Sequence, residues 1–101
     1  MSYSDLFRSN LRLALLNVLQ QSPGYSANGS ILQGGLYDVG LVVGRDEIET
    51  ELAWLAAQGY VNVEEVRKPP KTIVVARLTE RGEDVQAGRV TVPGVKRPHP
   101  V

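Results

Sequence analysis

Two clusters of charge carry the chemistry visible in this chain. Arg67-Lys68-Pro69-Pro70-Lys71, followed by Arg77, gathers four cations into one short stretch. Cations grouped in this way bind phosphate oxygens, because they displace the counterions condensed on a polyanion. Asp46, Glu47, Glu49 and Glu51 form the opposite cluster, with Arg45 as the one cation beside them. Two readings compete there: a solvated face that also favours the positive end of a helix dipole, or a contact for a basic partner. Covalent chemistry has no comparable support. His99 is the only histidine and stands between Pro98 and Pro100, so neither a catalytic triad nor a histidine metal site can be built on it. Glu64-Glu65 and Glu83-Asp84 are neighbouring carboxylates whose side chains diverge on regular elements. Gly34-Gly35 lacks the Lys-Ser/Thr that completes a phosphate-cradling loop. The expectation is a binding protein rather than an enzyme, with no metal and no cofactor.

Composition narrows the setting. A chain of 101 residues forms one small domain. The absence of cysteine excludes a disulfide framework and thiolate metal sites, and agrees with a reducing cytoplasm. No signal peptide is visible, and no run reaches the roughly 20 apolar residues that a membrane span needs. The expected protein is soluble and cytoplasmic, with no membrane partner. Its net charge of zero hides a division. Residues 1–65 set three cations against eight carboxylates, and residues 66–101 set eight against three. A polyanion would meet the last third of the chain, or two copies would meet acidic face to basic face.

Hydrophobic spacing supplies the elements that must position these charges. Phe7, Leu11, Ala14, Leu15, Val18 and Leu19 predict a first helix from about Ser4 to Gln21, capped by Ser4, with Arg8 and Arg12 on its opposite side. Leu6 and Leu13 fall off that stripe and offer a dimer contact. Ser22-Pro23-Gly24 stops the helix, and Tyr25 to Gly29 is a loop or a short strand. Ser30 is expected to cap a second helix that buries Ile31, Leu32, Leu36 and Val39. Its Gly34-Gly35 pair weakens it by about 1 kcal/mol per glycine relative to alanine, or else permits close helix packing. Leu41, Val42 and Val43 are expected to turn inward before a third helix from Arg45 to Gln58, which buries Ile48, Leu52, Leu55 and Ala56 and stops at Gly59. Tyr60–Val66 and Thr72–Leu78 read as a hairpin whose tip, residues 67–71, is too proline-rich for strand. Thr79 caps a short last helix that ends near Gly88. The domain is then 1–88, and 89–101 is a basic, proline-containing tail with little to bury.

The order helix, helix, helix, hairpin, helix resembles the winged helix-turn-helix regulators of the ArsR and MarR type. The residues that carry the likeness are Leu52 to Gly59 with Tyr60-Val61, and Arg77-Leu78-Thr79-Glu80-Arg81-Gly82 after the wing. Glu51-Leu52-Ala53-Trp54-Leu55, the Leu78–Gly82 run and Gly88-Arg89-Val90-Thr91-Val92-Pro93-Gly94-Val95-Lys96-Arg97-Pro98 resemble small ArsR-like proteins of Mu-like phages and prophages, over most of the chain. The resemblance implies an α+β fold, mainly α: a three-helix bundle with a β-hairpin wing and a short C-terminal helix. It also implies DNA binding and transcriptional regulation. Metal sensing does not carry over, because the cysteines of the metal-sensing members are missing. The third helix also departs from the pattern, since its front is acidic where DNA readers present Arg, Lys, Ser, Gln or Asn.

If DNA is the partner, the wing cations Arg67, Lys68, Lys71 and Arg77 are expected on phosphates, with Arg45 and Thr50 facing bases and Arg89, Lys96 and Arg97 adding tail contacts. If the partner is a basic protein surface, Glu47, Glu49 and Glu51 are expected to dock it. Trp54 is then either an edge of the core or an exposed anchor. Ile73 and Val75 are left on the outer face of the wing, for a dimer contact or for cover by the tail. A homodimer is expected in either case.

Overall fold

A computed structural model describes residues 2–98. It contains helices α1 (Tyr3–Gln21), α2 (Gly29–Asp38), α3 (Arg45–Ala57) and α4 (Glu80–Gln86), with strands β1 (Ser26–Asn28), β2 (Val61–Lys68) and β3 (Lys71–Leu78). The strands form one antiparallel sheet in the order β1-β3-β2. This is the winged-helix arrangement, α+β and mainly helical. His99, the lone histidine, lies outside the described residues, as does the end of the tail.

α1 runs through the middle of the fold, with α2, α3 and α4 all packed against it. Leu11, Leu15, Leu16 and Leu19 supply its fully buried stripe. They meet Leu32 and Leu36 of α2, Ile48, Leu52 and Leu55 of α3, and Ala76 and Leu78 of β3 in one core. The α1 cap is Ser2 rather than Ser4: its Oγ accepts the Asp5 N–H at 3.1 Å. Hydrogen bonds with Ser2, and then the Arg8 guanidinium, hold the Asp5 carboxyl below its ordinary range. The group is exposed, so the stabilisation it brings is small; it is fully present above the ordinary carboxylate value and is lost as pH falls from there through the lowered one.

α2 also starts earlier than Ser30. The side chain of Asn28 accepts the Ile31 N–H, and the cap therefore lies on the last residue of β1. Ile31 and Val39 face outward, and α2 buries only Leu32 and Leu36. Val42 is 77% exposed, leaving Val43 and part of Leu41 to reach the core. Gly35 does permit close packing, because a Cβ there would meet both Val18 methyl groups at 2.9 Å.

The hairpin is longer than the sequence suggests. Its strands continue to Lys68 and Lys71, which pair directly, so the connection is Pro69-Pro70 alone. Neither proline interrupts the ladder because both occupy the turn. Ile73 and Val75 need no second chain to leave water in part. Val66 stands opposite Ile73, while Val75 sits between Asn28 on one side and Glu64 on the other, and both residues are half-buried.

Thr79 joins the wing to α4 and ties both to the end of α3. Its hydroxyl donates to the Gly59 carbonyl at 2.7 Å and accepts the Gly82 N–H at 3.0 Å. Gly82 is pressed onto the Tyr60 backbone so closely that any Cβ would overlap the Tyr60 carbonyl oxygen. Backbone cannot rotate aside as a side chain can. Gly82→Ala is therefore expected to cost at least 1–3 kcal/mol, the usual range for overpacking. Urea unfolding checks this, and a loss below about 0.5 kcal/mol would contradict the close approach.

Candidate nucleic-acid interface

The front of the molecule is built from the first turn of α3, the start of α2 and the β3 side of the wing. Between them runs an open groove of about 450 Å³, lined in part by Ser30, Arg45, Glu49, Lys71 and Ile73. Arg45 is held rather than free. Its Nε donates to Gln33 Oε1 at 2.8 Å, and Gln33 Nε2 donates to the Val43 carbonyl at 2.9 Å. Gln33 thus fastens α2, the α2–α3 connection and Arg45 in one chain of hydrogen bonds. No periodicity marks that residue in the sequence, because its partners come from the turn and not from its own helix. Thr50 donates its hydroxyl to the Asp46 carbonyl of its own helix at 2.9 Å, keeping a lone pair outward.

The acidic cluster divides on folding. Asp46, Glu47 and Glu49 are exposed, but Glu51 is 3% exposed and belongs to the interior. Arg12 Nε donates to Glu51 Oε1 at 2.6 Å, so Glu51 faces α1 and is unavailable to a partner. The expectation of four solvent carboxylates fails here, for one geometric reason. Position 51 stands three residues after Ile48 and four before Leu55, on the buried stripe.

Arg12 organises more than this pair. Its guanidinium carbon lies 3.9 Å from the centroid of the Trp54 ring, and Nη1 donates to the Gly94 carbonyl at 2.9 Å. Gly94 has φ +89° and touches Trp54 so closely that a Cβ would stand 2.7 Å from the ring. The Lys96 N–H then bonds the Ser9 carbonyl, and Val95 is buried. Segment 92–98 therefore packs along α1, where the sequence suggested little to bury. Trp54 is the edge of the core, half-covered by Arg12 and Gly94. Helical position alone put Arg12 in solvent, and only its distant partners bring it inside.

The cations separate into three groups. Arg67, Lys68, Lys71 and Arg77 share the exposed part of the wing. Lys68 stands directly opposite Lys71, and Arg67 opposite Thr72. Lys96 and Arg97 instead line a different groove, beside Leu6 and Asn10 of α1. Arg89 is tied to Asp84 at 2.7 Å, and that hydrogen bond raises its pKa above the ordinary guanidinium value. Among the described residues the ion pairs are Asp5–Arg8, Glu51–Arg12 and Asp84–Arg89. The four wing cations are in none of them.

No helix of the described residues is long and apolar enough to cross a membrane. No protein-family model matches the chain. The uncharacterized protein gp26 of Escherichia phage Mu is 41% identical over 97 residues, covering 96% of this chain and 96% of gp26. A candidate transcriptional regulator from Thermoplasma acidophilum has the same fold, with a TM-score of 0.74 at 16% identity, over 89% of this chain and 84% of its own. PadR of Bacillus subtilis, solved in complex with operator DNA, matches with a TM-score of 0.64 at 17% identity, over 89% of this chain and 50% of PadR. At those identities the solved structures establish a shared fold.

Proposed function

This chain belongs to the family of phage Mu gp26, and from that premise and its winged-helix fold we propose a phage- or prophage-type DNA-binding protein that regulates transcription. Its wing lies along the phosphates of the duplex, and it acts as a homodimer in the cytoplasm. Residues 1–88 are the DNA-binding unit, with 89–101 a basic, proline-containing tail whose segment 92–98 forms a strap along α1.

One observation carries the proposal. Arg67, Lys68, Lys71 and Arg77 are exposed on one hairpin, outside every ion pair of the described residues, and Lys68 is set against Lys71. Like charges directly across a strand pair destabilise it. A tip that keeps such a pair has a use for concentrated positive charge, and a line of phosphates supplies the matching partner. The fold shared with PadR, which was solved on operator DNA, supports a winged-helix regulator.

α3 contributes less than in a sequence-reading regulator. Its exposed front sets Arg45 against Asp46, Glu47 and Glu49, which opposes deep entry into a groove lined by phosphates. Arg45 and Thr50 are its two base-facing groups, with Arg45 aimed by Gln33. The wing positions the protein, and sequence preference is modest. The alternative, docking of a basic protein on α3, retains Glu47 and Glu49 but has lost Glu51 to the core.

The test is a salt titration of binding to duplex DNA, followed by fluorescence anisotropy. Two wings with four cations each predict a slope of log K against log salt of up to about −7. A folded preparation that shows no binding at low salt overturns the proposal.

A further inference from the structure

α1 forms the floor of a second groove, one that shares no lining residue with the wing groove. Leu6, Phe7, Leu13 and Ala14 make the floor, Val39 and Leu41 one wall, and segment 96–98 the other. Its volume is about 470 Å³. Along it Tyr3 is 80% exposed, Leu6 46% and Val39 65%. Burying large apolar side chains of this kind is worth about 1.5–3 kcal/mol each, so a contiguous strip of them marks a contact surface.

Charge is distributed unevenly along the strip. The hydrogen bond from the Lys96 N–H to the Ser9 carbonyl fixes Lys96 and Arg97 beside the N-terminal half of α1. Asp38 lines the adjoining recess together with Asn17, Val18 and Gln21, beside the C-terminal half. None of these three charged groups is in an ion pair of the described residues. One apolar strip therefore has a cationic end and an anionic end. Such a surface is complementary to itself under a two-fold rotation, because each end is carried onto the other. An isologous dimer requires that property and an unrelated partner does not.

We propose that the α1 groove is the homodimer interface. α1 of a second copy lies antiparallel along it, the two-fold passes near Asn10 to Ala14, and Lys96 and Arg97 of each copy face Asp38 of the other. The inference rests on the reading of the protein as a pair of copies and is independent of DNA. It also gives Lys96 and Arg97 a role separate from phosphate contact. In the pair, Leu6, Leu13 and Val39 leave water together.

Sedimentation equilibrium of the purified full chain without DNA is the experiment. The unmodified protein is expected to be a dimer at micromolar concentration. Val39→Asp, at a position exposed in the single copy, is expected to give a folded monomer with an unchanged far-UV circular dichroism spectrum, whose unfolding no longer depends on protein concentration. Asp38→Lys is expected to weaken the dimer by about tenfold or more, as like charges meet. Lys96→Asp with Arg97→Asp is expected to do the same, and all three substitutions together to restore association. A monomeric unmodified chain overturns the paired reading itself. A dimer unmoved by Val39→Asp overturns this surface, and a triple variant no better than its parents overturns the antiparallel register. None of these results depends on whether DNA binds.

Discussion

Arg12→Met is expected to lower the unfolding free energy by about 3–5 kcal/mol, the usual loss when one partner of a buried ion pair is removed. Glu51 is almost fully enclosed, and its Oε1 accepts from Arg12 Nε at 2.6 Å. Methionine fills much of the arginine volume, so the loss comes from a carboxylate stranded without its cation. It takes the Gly94 hydrogen bond and the contact over Trp54 with it. The same variant is therefore expected to loosen segment 92–98 and to shift the fluorescence of Trp54, the only tryptophan. Arg12→Met combined with Glu51→Leu is expected to recover most of the stability, since an apolar pair of similar volume often replaces a buried ion pair without loss. Urea denaturation of the three proteins checks this directly. A single-variant loss under about 1 kcal/mol, or a double variant no more stable than the single, would show that the pair is not what holds α1, α3 and the strap together.

The second large effect concerns the wing, and here stability and affinity are expected to move in opposite directions. Lys68→Glu replaces a like-charged cross-strand pair with a carboxylate opposite Lys71, which should leave the hairpin unchanged or more stable by about 0.2–1 kcal/mol. DNA affinity should fall on the order of a hundredfold at moderate salt. In a dimer two phosphate contacts are lost and two repulsions gained, and the salt slope flattens by about 2. The loss should be uniform across DNA sequences, as expected of a residue that contacts phosphate rather than bases. An unaltered affinity would remove the wing from the interface. A loss confined to one DNA sequence would mean that Lys68 reads bases instead.

The limits of sequence reading show most clearly at Glu51 and Arg12. Glu51 stands on the buried stripe of α3 by spacing, but a carboxylate there reads as solvated until a partner for it is known, and Arg12 falls beside the stripe of α1. Their burial depends on a contact 39 positions apart in the chain, which no local pattern encodes. Gly94 is similar. A glycine among prolines reads as loose chain, yet this one is required by the Trp54 ring lying against it. The caps of α1 and α2 were each displaced by two residues, because several Ser and Asn side chains near a helix start are chemically equivalent until the preceding backbone is placed. In the hairpin, proline content hid the outer parts of the strands, since proline is excluded from the ladder but not from the turn.

What the sequence by itself determined is local: the four helices, the hairpin, the Gly59 stop, the Thr79 cap and the crowding of cations near one turn. Each follows from propensity, periodicity or backbone constraint within a few neighbouring residues. Only the tertiary structure decided which charges remain available. It drew Glu51 inside with Arg12, tied Arg89 to Asp84, set Lys96 and Arg97 beside α1, and left the wing cations in water. The reason is electrostatic and geometric together. A charge is accessible only if no distant element brings it a partner, and that depends on how helices and strands are stacked.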